Sequence, residues 1–197
     1  AELVDRGIGR ILEKIEDLRL DQNSIIVFTS DHGVSLGEHN RTGKTNINPG
    51  DERSWPIYPE VAHVPLMIAA PNVKGGRSIP NLALPEDTLP SVADLAGIDI
   101  EPQETFHGMS LASQLQEESN DKTRDVVVTG KFLNEEKANI PNAATVPVVY
   151  TSEWAYVPFR PDGSPELYHL PTDPLAENDI AAKNQNILQE MHQKFMA

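Results

Sequence analysis

The strongest constraint on the fold is a pair of short apolar runs, SIIVFTS at residues 24–30 and VPLMIAAP at 64–71, separated by a long polar stretch. A continuous apolar run of this length, bounded by turn residues, reads as a strand buried on both faces. Prolines mark the ends of the second run, because proline cannot donate to a strand ladder. Upstream, Val4, Ile8, Ile11, Leu12, Ile15 and Leu18 recur at helical spacing among Asp, Glu, Arg and Lys, which predicts an amphipathic helix covering a sheet. Helix, turn and buried strand make the class α/β. The connection between the strands, roughly thirty residues, far exceeds the usual loop of about 4 to 6, and loops of that length tend to be functional or disordered.

Further along, LPEDTLPSVADLAGIDI predicts a short helix stopped at Gly97, and HGMSLASQLQEES predicts another. RDVVVTG, ATVPVVYTS and EWAYVPF are β-rich and interrupted by Pro147 and Pro158, with PDGS as a turn, so a small antiparallel sheet is expected there. Ile187, Leu188, Met191 and Phe195 return to helical spacing at the end. The expected division is residues 1–120 as an α/β portion and 121–197 as a small α+β subdomain with a terminal helix.

Composition excludes several functions. Thirty acidic against sixteen basic side chains give a formal charge of −14, which repels a phosphate backbone, and no Lys/Arg-rich run offsets it. A nucleic-acid partner is therefore not expected. The absence of cysteine removes disulfides, thiolate metal sites and thiol nucleophiles from this chain and leaves its compartment open. No apolar run is long enough for a membrane span.

The chemistry starts where the first strand stops, at Thr29-Ser30-Asp31-His32-Gly33. In open α/β sheets, binding groups collect beyond the carboxyl ends of strands. A carboxylate and an imidazole are both metal ligands, and a glycine beside them lets the backbone turn closely. The same two residues also serve, in many proteins, as a turn cap and a satisfied, half-buried histidine. Glu38-His39 and then Lys44 follow in the same loop.

TSDHGVSLGEHNRTGK resembles the second metal-binding motif of the sulfatases, in the alkaline phosphatase superfamily: an apolar strand, Asp-His-Gly, Leu-Gly-Glu-His and Gly-Lys in order. EVAHVPLMIAAP is similar to that family's Val-Pro-Leu strand. TLPSVADLAGIDIEPQETFHGMSL and PELYHLPTDPLAENDIA resemble two later blocks. Departures occur in the last block, where His169 replaces a common Asp and Leu-Ala precedes Glu177.

The resemblance implies an alkaline-phosphatase-like sheet layer with covering helices, present in part. It also implies hydrolysis of sulfate esters, with Asp31 and His32 as ligands of a divalent cation and Lys44 contacting the ester oxygens. A compact ammonium suits a tetrahedral anion and stabilises negative charge developing in the transition state. The usual sulfatase ion is Ca²⁺, although an imidazole ligand also suits Mn²⁺, Zn²⁺ or Fe. His39 is a candidate for the substrate rim or for hydrogen bonding within the loop. His63, His107 and His169 read as structural or exposed. Trp55 and Tyr58 could stack on a sugar or pack internally.

Sulfatases resembling this chain also carry a strand-end Asp pair and a Cys/Ser-x-Pro-Ser-Arg segment whose first residue becomes a formylglycine nucleophile. Neither is in this sequence. The resemblance therefore implies the C-terminal portion of a longer enzyme, whose missing N-terminal half is its first partner, acting on a sulfate ester such as a sulfated glycan. A fragment with two metal ligands is expected to be inactive alone and, with sheet surface uncovered, to self-associate. Two alternatives stand beside this: a phosphonate or phosphate ester hydrolase of the same superfamily, and a non-catalytic module that binds a sulfated glycan or assembles with another subunit.

Overall fold

The structure is a computed structural model that describes residues 2–43, 45–46, 56–99, 107–117, 124–130, 146–158 and 164–197. Two compact units divide the chain: one contains residues 1–29, 65–79 and 84–123, the other 30–64, 80–83 and 124–197.

In the first unit, α1 (Glu2–Asp17) leads through a 3-10 turn to β1 (Ile26–Thr29), which pairs antiparallel with β5 (Leu66–Ala69), Ile26 opposite Ala69 and Thr29 opposite Leu66. Both expected strands are present, but β1 is not buried on both faces: Phe28 and Thr29 are exposed. The expectation that α1 covers a sheet also fails, since none of its residues is buried. A two-stranded ribbon offers too little area to cover an apolar stripe four turns long. Leu3, Ile11 and Leu18 are accordingly 83%, 62% and 57% exposed.

α3 (Thr88–Ala96) ends as the sequence predicts, with Gly97 at φ 67°, a left-handed position that glycine adopts without a Cβ clash. Asp87, just before α3, is fully buried: one carboxylate oxygen accepts from the Leu84 N–H at 2.7 Å and the other from the Met109 N–H at 2.8 Å. Ser91, also fully buried, donates to the Asp87 carbonyl at 2.6 Å and accepts from the Leu111 N–H at 2.9 Å. The Gly-Met-Ser-Leu segment is thereby seated against α3, and the short α4 (Ala112–Leu115) follows.

The second unit is built on a four-stranded antiparallel sheet, ordered β6 (Val127–Thr129), β7 (Val148–Tyr150), β8 (Trp154–Val157) and β9 (Glu166–His169). Pro147 and Pro158 stand just outside β7 and β8, where a missing N–H costs no ladder bond. PDGS, apart from Ser164, lies outside the described residues. Side chains alternate across the sheet with period two. Val148, Tyr150, Ala155, Val157 and Tyr168 line one face and join Tyr58. Val149, Tyr156 and Leu167 line the other, covered by Met191 and the partly buried Ile187, Leu188 and Phe195 of α5 (Gln185–Met196). This is the expected C-terminal sheet with its terminal helix.

The turn after β9 is closed by carboxylates. Asp173 accepts from the Glu177 and Asn178 N–H groups at 3.0 and 2.8 Å, and Asp179 accepts from Leu167 and Ala181 at 3.0 and 2.9 Å. Local hydrogen bonding thus accounts for Asp173 and Asp179 of PELYHLPTDPLAENDIA. The long interstrand loop contains β2 (Ser35–Leu36), β3 (Arg41–Gly43) and β4 (Thr45–Asn46) in a three-stranded ribbon, then α2 (Pro59–Ala62). No helix among the described residues is long and apolar enough to cross a membrane.

Candidate functional site

Asp31 and His32 form a self-contained pair. The His32 N–H donates to Asp31 Oδ1 at 3.0 Å, and His32 Nε2 lies 3.3 Å from Asp31 Oδ2. On the other side of the ring, Nδ1 lies 2.6 Å from the Gly33 carbonyl oxygen. A carbonyl only accepts, so Nδ1 carries a proton, and in the neutral ring the lone pair sits on Nε2. That nitrogen faces a carboxylate oxygen, and either a proton or a metal ion between the two satisfies both. Metal-binding histidines commonly donate their second ring N–H to a backbone carbonyl, which fixes tautomer and ring orientation.

The spacing fits a cation as well: two ligands about 2.3 Å from one ion at a right angle lie about 3.3 Å apart. The Asp31 side chain is 84% exposed and that of His32 29%, so the pair is open to further ligands. Among the described residues, no group of three or more His, Asp or Glu side chains is arranged to hold a metal ion. Lys44, the expected ester contact, and Trp55 lie outside the described residues.

The loop bearing the pair is pressed onto α2. The Gly33 N–H donates to the Val61 carbonyl at 2.9 Å, and a Cβ at position 33 would stand 2.0 Å from the Glu60 carbonyl oxygen. Only glycine permits that approach. The fully buried Ser35 donates from Oγ to Glu60 Oε1 at 3.0 Å. Glu38 accepts from the Leu36 N–H and closes the turn, and hydrogen bonds from its own N–H and that of Leu36 hold its carboxyl below the usual range.

His39 sits in the left-handed region at φ 51°, an unfavourable conformation for a residue with a Cβ. Its ring stacks on Tyr58 with centroids 3.6 Å apart, and Nε2 donates to the Leu175 carbonyl at 3.0 Å. The side chain is 12% exposed. The His39 ring thus packs and hydrogen-bonds within its own unit, and its bond reaches Leu175 outside the loop rather than a partner within it. Tyr58, 5% exposed, donates to Glu166 Oε2 at 2.9 Å and belongs to the core. Tyr150 donates to the Ile57 carbonyl at 2.6 Å, so the segment leading into α2 is fastened to the sheet face at two points.

His63 and His107 are exposed, and His169 pairs its Nδ1 with Thr172 Oγ1 at 2.8 Å. Sequence reasoning missed Glu60 and Ser35. Glu60 was in view within the EVAHVPL block, but nothing in its neighbours signals that its carboxylate is buried.

Known proteins match this chain in both sequence and structure. Residues 1–98 match the family model described as Sulfatase. The chain is 28% identical over 194 residues to arylsulfatase K of Mus musculus, covering 97% of this chain and 33% of that protein. Among solved structures, a protein in complex with its substrate D-glucosamine-2-N,6-O-disulfate aligns with TM-score 0.72 at 24% identity, over 98% of this chain and 38% of that one. The phosphonate monoester hydrolase of Agrobacterium radiobacter aligns with TM-score 0.76 at 24% identity, again over 98% and 38%. At that identity the structural likeness establishes the fold, which is the alkaline-phosphatase-like α/β fold of the sulfatases. The chain belongs to the sulfatase family and spans about a third of the length of the curated relatives it matches.

Proposed function

We propose that this chain is the C-terminal portion of a metal-dependent hydrolase of sulfate esters, in which Asp31 and His32 hold a divalent cation and Lys44 contacts the ester. The observation that carries this reading is the Asp31–His32 pair, with Nδ1 tied to the Gly33 carbonyl and Nε2 directed at Asp31 Oδ2, 3.3 Å away. Bound there, a divalent cation would supply Lewis-acid polarisation of the ester oxygens and a fixed point of orientation. Ca²⁺ is the first candidate, while the imidazole ligand also admits Mn²⁺, Zn²⁺ or Fe.

In this reading each residue has one task. The Asp31 carboxylate contributes charge and an oxygen ligand, His32 contributes a ring nitrogen whose direction is set by Gly33, and Lys44 places a positive charge against the ester oxygens. The nucleophile and the remaining ligands belong to sequence outside this chain. Sulfate is preferred over phosphonate because the curated relative matched along 97% of the chain is an arylsulfatase.

The test uses the protein at the full length its gene encodes. Elemental analysis should find a stoichiometric divalent metal that Asp31→Asn removes. Lys44→Ala should lower kcat/KM for an aryl sulfate about a hundredfold or more. The 197-residue chain alone should not turn over. Metal content and turnover unchanged by Asp31→Asn would overturn the reading, and a higher kcat/KM for a phosphonate monoester would transfer it to the sister activity.

A further inference from the structure

Glu60 carries a buried carboxylate that the proposed chemistry does not use. Its side chain is 6% exposed, and it reaches across to the loop that presents Asp31 and His32. Oε1 accepts from Ser35 Oγ at 3.0 Å. Oε2 is buried without a hydrogen-bond partner among the described residues and stands 3.8 Å from His39 Nε2, whose proton is directed to the Leu175 carbonyl. A carboxylate withdrawn from water is costly unless its surroundings compensate it. Here the compensation comes from the 35–39 segment through the Ser35 hydroxyl, three residues beyond His32.

The backbone of the same residue completes the contact. The Glu60 carbonyl is the surface against which Gly33 closes, and the neighbouring Val61 carbonyl takes the Gly33 N–H at 2.9 Å. The Gly33 carbonyl, in turn, holds His32 Nδ1 at 2.6 Å. Residues 60 and 61 therefore hold the 33–35 segment at two points, the Ser35 hydroxyl and the Gly33 N–H, and the Gly33 carbonyl holds the ring of His32.

We propose that Glu60 is a positioning residue, whose buried carboxylate clamps the 33–39 segment onto α2 and so fixes the direction of His32 Nε2 beside Asp31. The proposal rests on the reading of Asp31 and His32 as cation ligands for its functional consequence, but the clamp itself is measurable without a metal. Carboxylate and histidine partners that orient ligands typically change metal affinity by about 10- to 100-fold when removed.

The experiment compares Glu60→Ala, Glu60→Gln and Ser35→Ala in the full-length protein by amide hydrogen exchange and by Mn²⁺ titration. Glu60→Ala should speed exchange at the Gly33 amide at least about tenfold while Val149 and Leu167, in the sheet, keep their protection. Mn²⁺ affinity should fall about tenfold or more. Glu60→Gln retains an acceptor for Ser35 and should recover part of both effects, and Ser35→Ala should reproduce part of them. Unchanged Gly33 exchange in Glu60→Ala would overturn the proposal. So would a loss of protection shared equally by Val149 and Leu167, which would make Glu60 an ordinary core residue. Absence of Mn²⁺ binding in the parent protein would instead remove the cation reading, and the exchange result would still decide the clamp.

Discussion

Replacing Gly33 by alanine measures how closely the Asp31–His32 turn is held to α2. The added Cβ would lie 2.0 Å from the Glu60 carbonyl oxygen, 3.0 Å from its carbon and 3.2 Å from Val61 Cα. All three are backbone atoms, so no side chain can swing aside, and the loop must retreat by about 1.4 Å to reach an ordinary contact. Overpacking of this kind costs about 1–3 kcal/mol. Stretching the Gly33–Val61 hydrogen bond adds about 1 kcal/mol. Alanine recovers about 0.4–1 kcal/mol by restricting the unfolded chain. The net expectation is a loss near 2 kcal/mol, or a urea midpoint lower by about 1 M at a typical slope. Urea unfolding followed by tryptophan fluorescence, with exchange of the residue-33 amide as local readout, provides the assay. If both the midpoint and the amide protection matched the parent, the close approach of loop and helix would be refuted.

Two further outcomes are expected. Burial, followed by the charge of Glu60 and the proximity of Tyr58, raises the Tyr150 hydroxyl well above its usual value of 10.0, and burial likewise raises Tyr168. In the unfolded chain these phenols ionise near pH 10 while the folded state keeps them neutral, so stability present below about pH 10 should be lost as pH rises beyond it. Thermal unfolding followed from pH 8 to 11 should show that decline, and Tyr150→Phe should flatten it. The uncovered stripe of α1, with Leu3 83% and Ile11 62% exposed, should make the isolated chain associate. Light scattering should find oligomers that dissociate when Leu3 and Ile11 are replaced by lysine, whereas monodisperse monomers of the parent at high concentration would contradict this.

Particular elements explain how far the sequence could be read. The β-rich segments interrupted at Pro147 and Pro158 and the helix stop at Gly97 were legible because they depend on local backbone chemistry. The burial of β1 and the covering role of α1 were misjudged for a single reason. An apolar run records that a surface seeks cover but not whether the cover is within the same chain.

At the site, Asp31, His32 and Lys44 are expected as metal ligands and ester contact through the resemblance of TSDHGVSLGEHNRTGK to the sulfatase motif. His39 showed two roles at that level. Its stacking on Tyr58 and its bond to Leu175, 136 residues away, decide where the ring sits.

The sequence by itself determined the family, the α/β class and the order of the residues proposed as cation ligands. The tertiary structure alone decided the approach that requires glycine at 33 and the meeting of Ser35 with Glu60 across 25 residues. Residue types fix which donors and acceptors exist, whereas their burial and pairing depend on contacts between segments distant in the chain, and these form only when the segments pack.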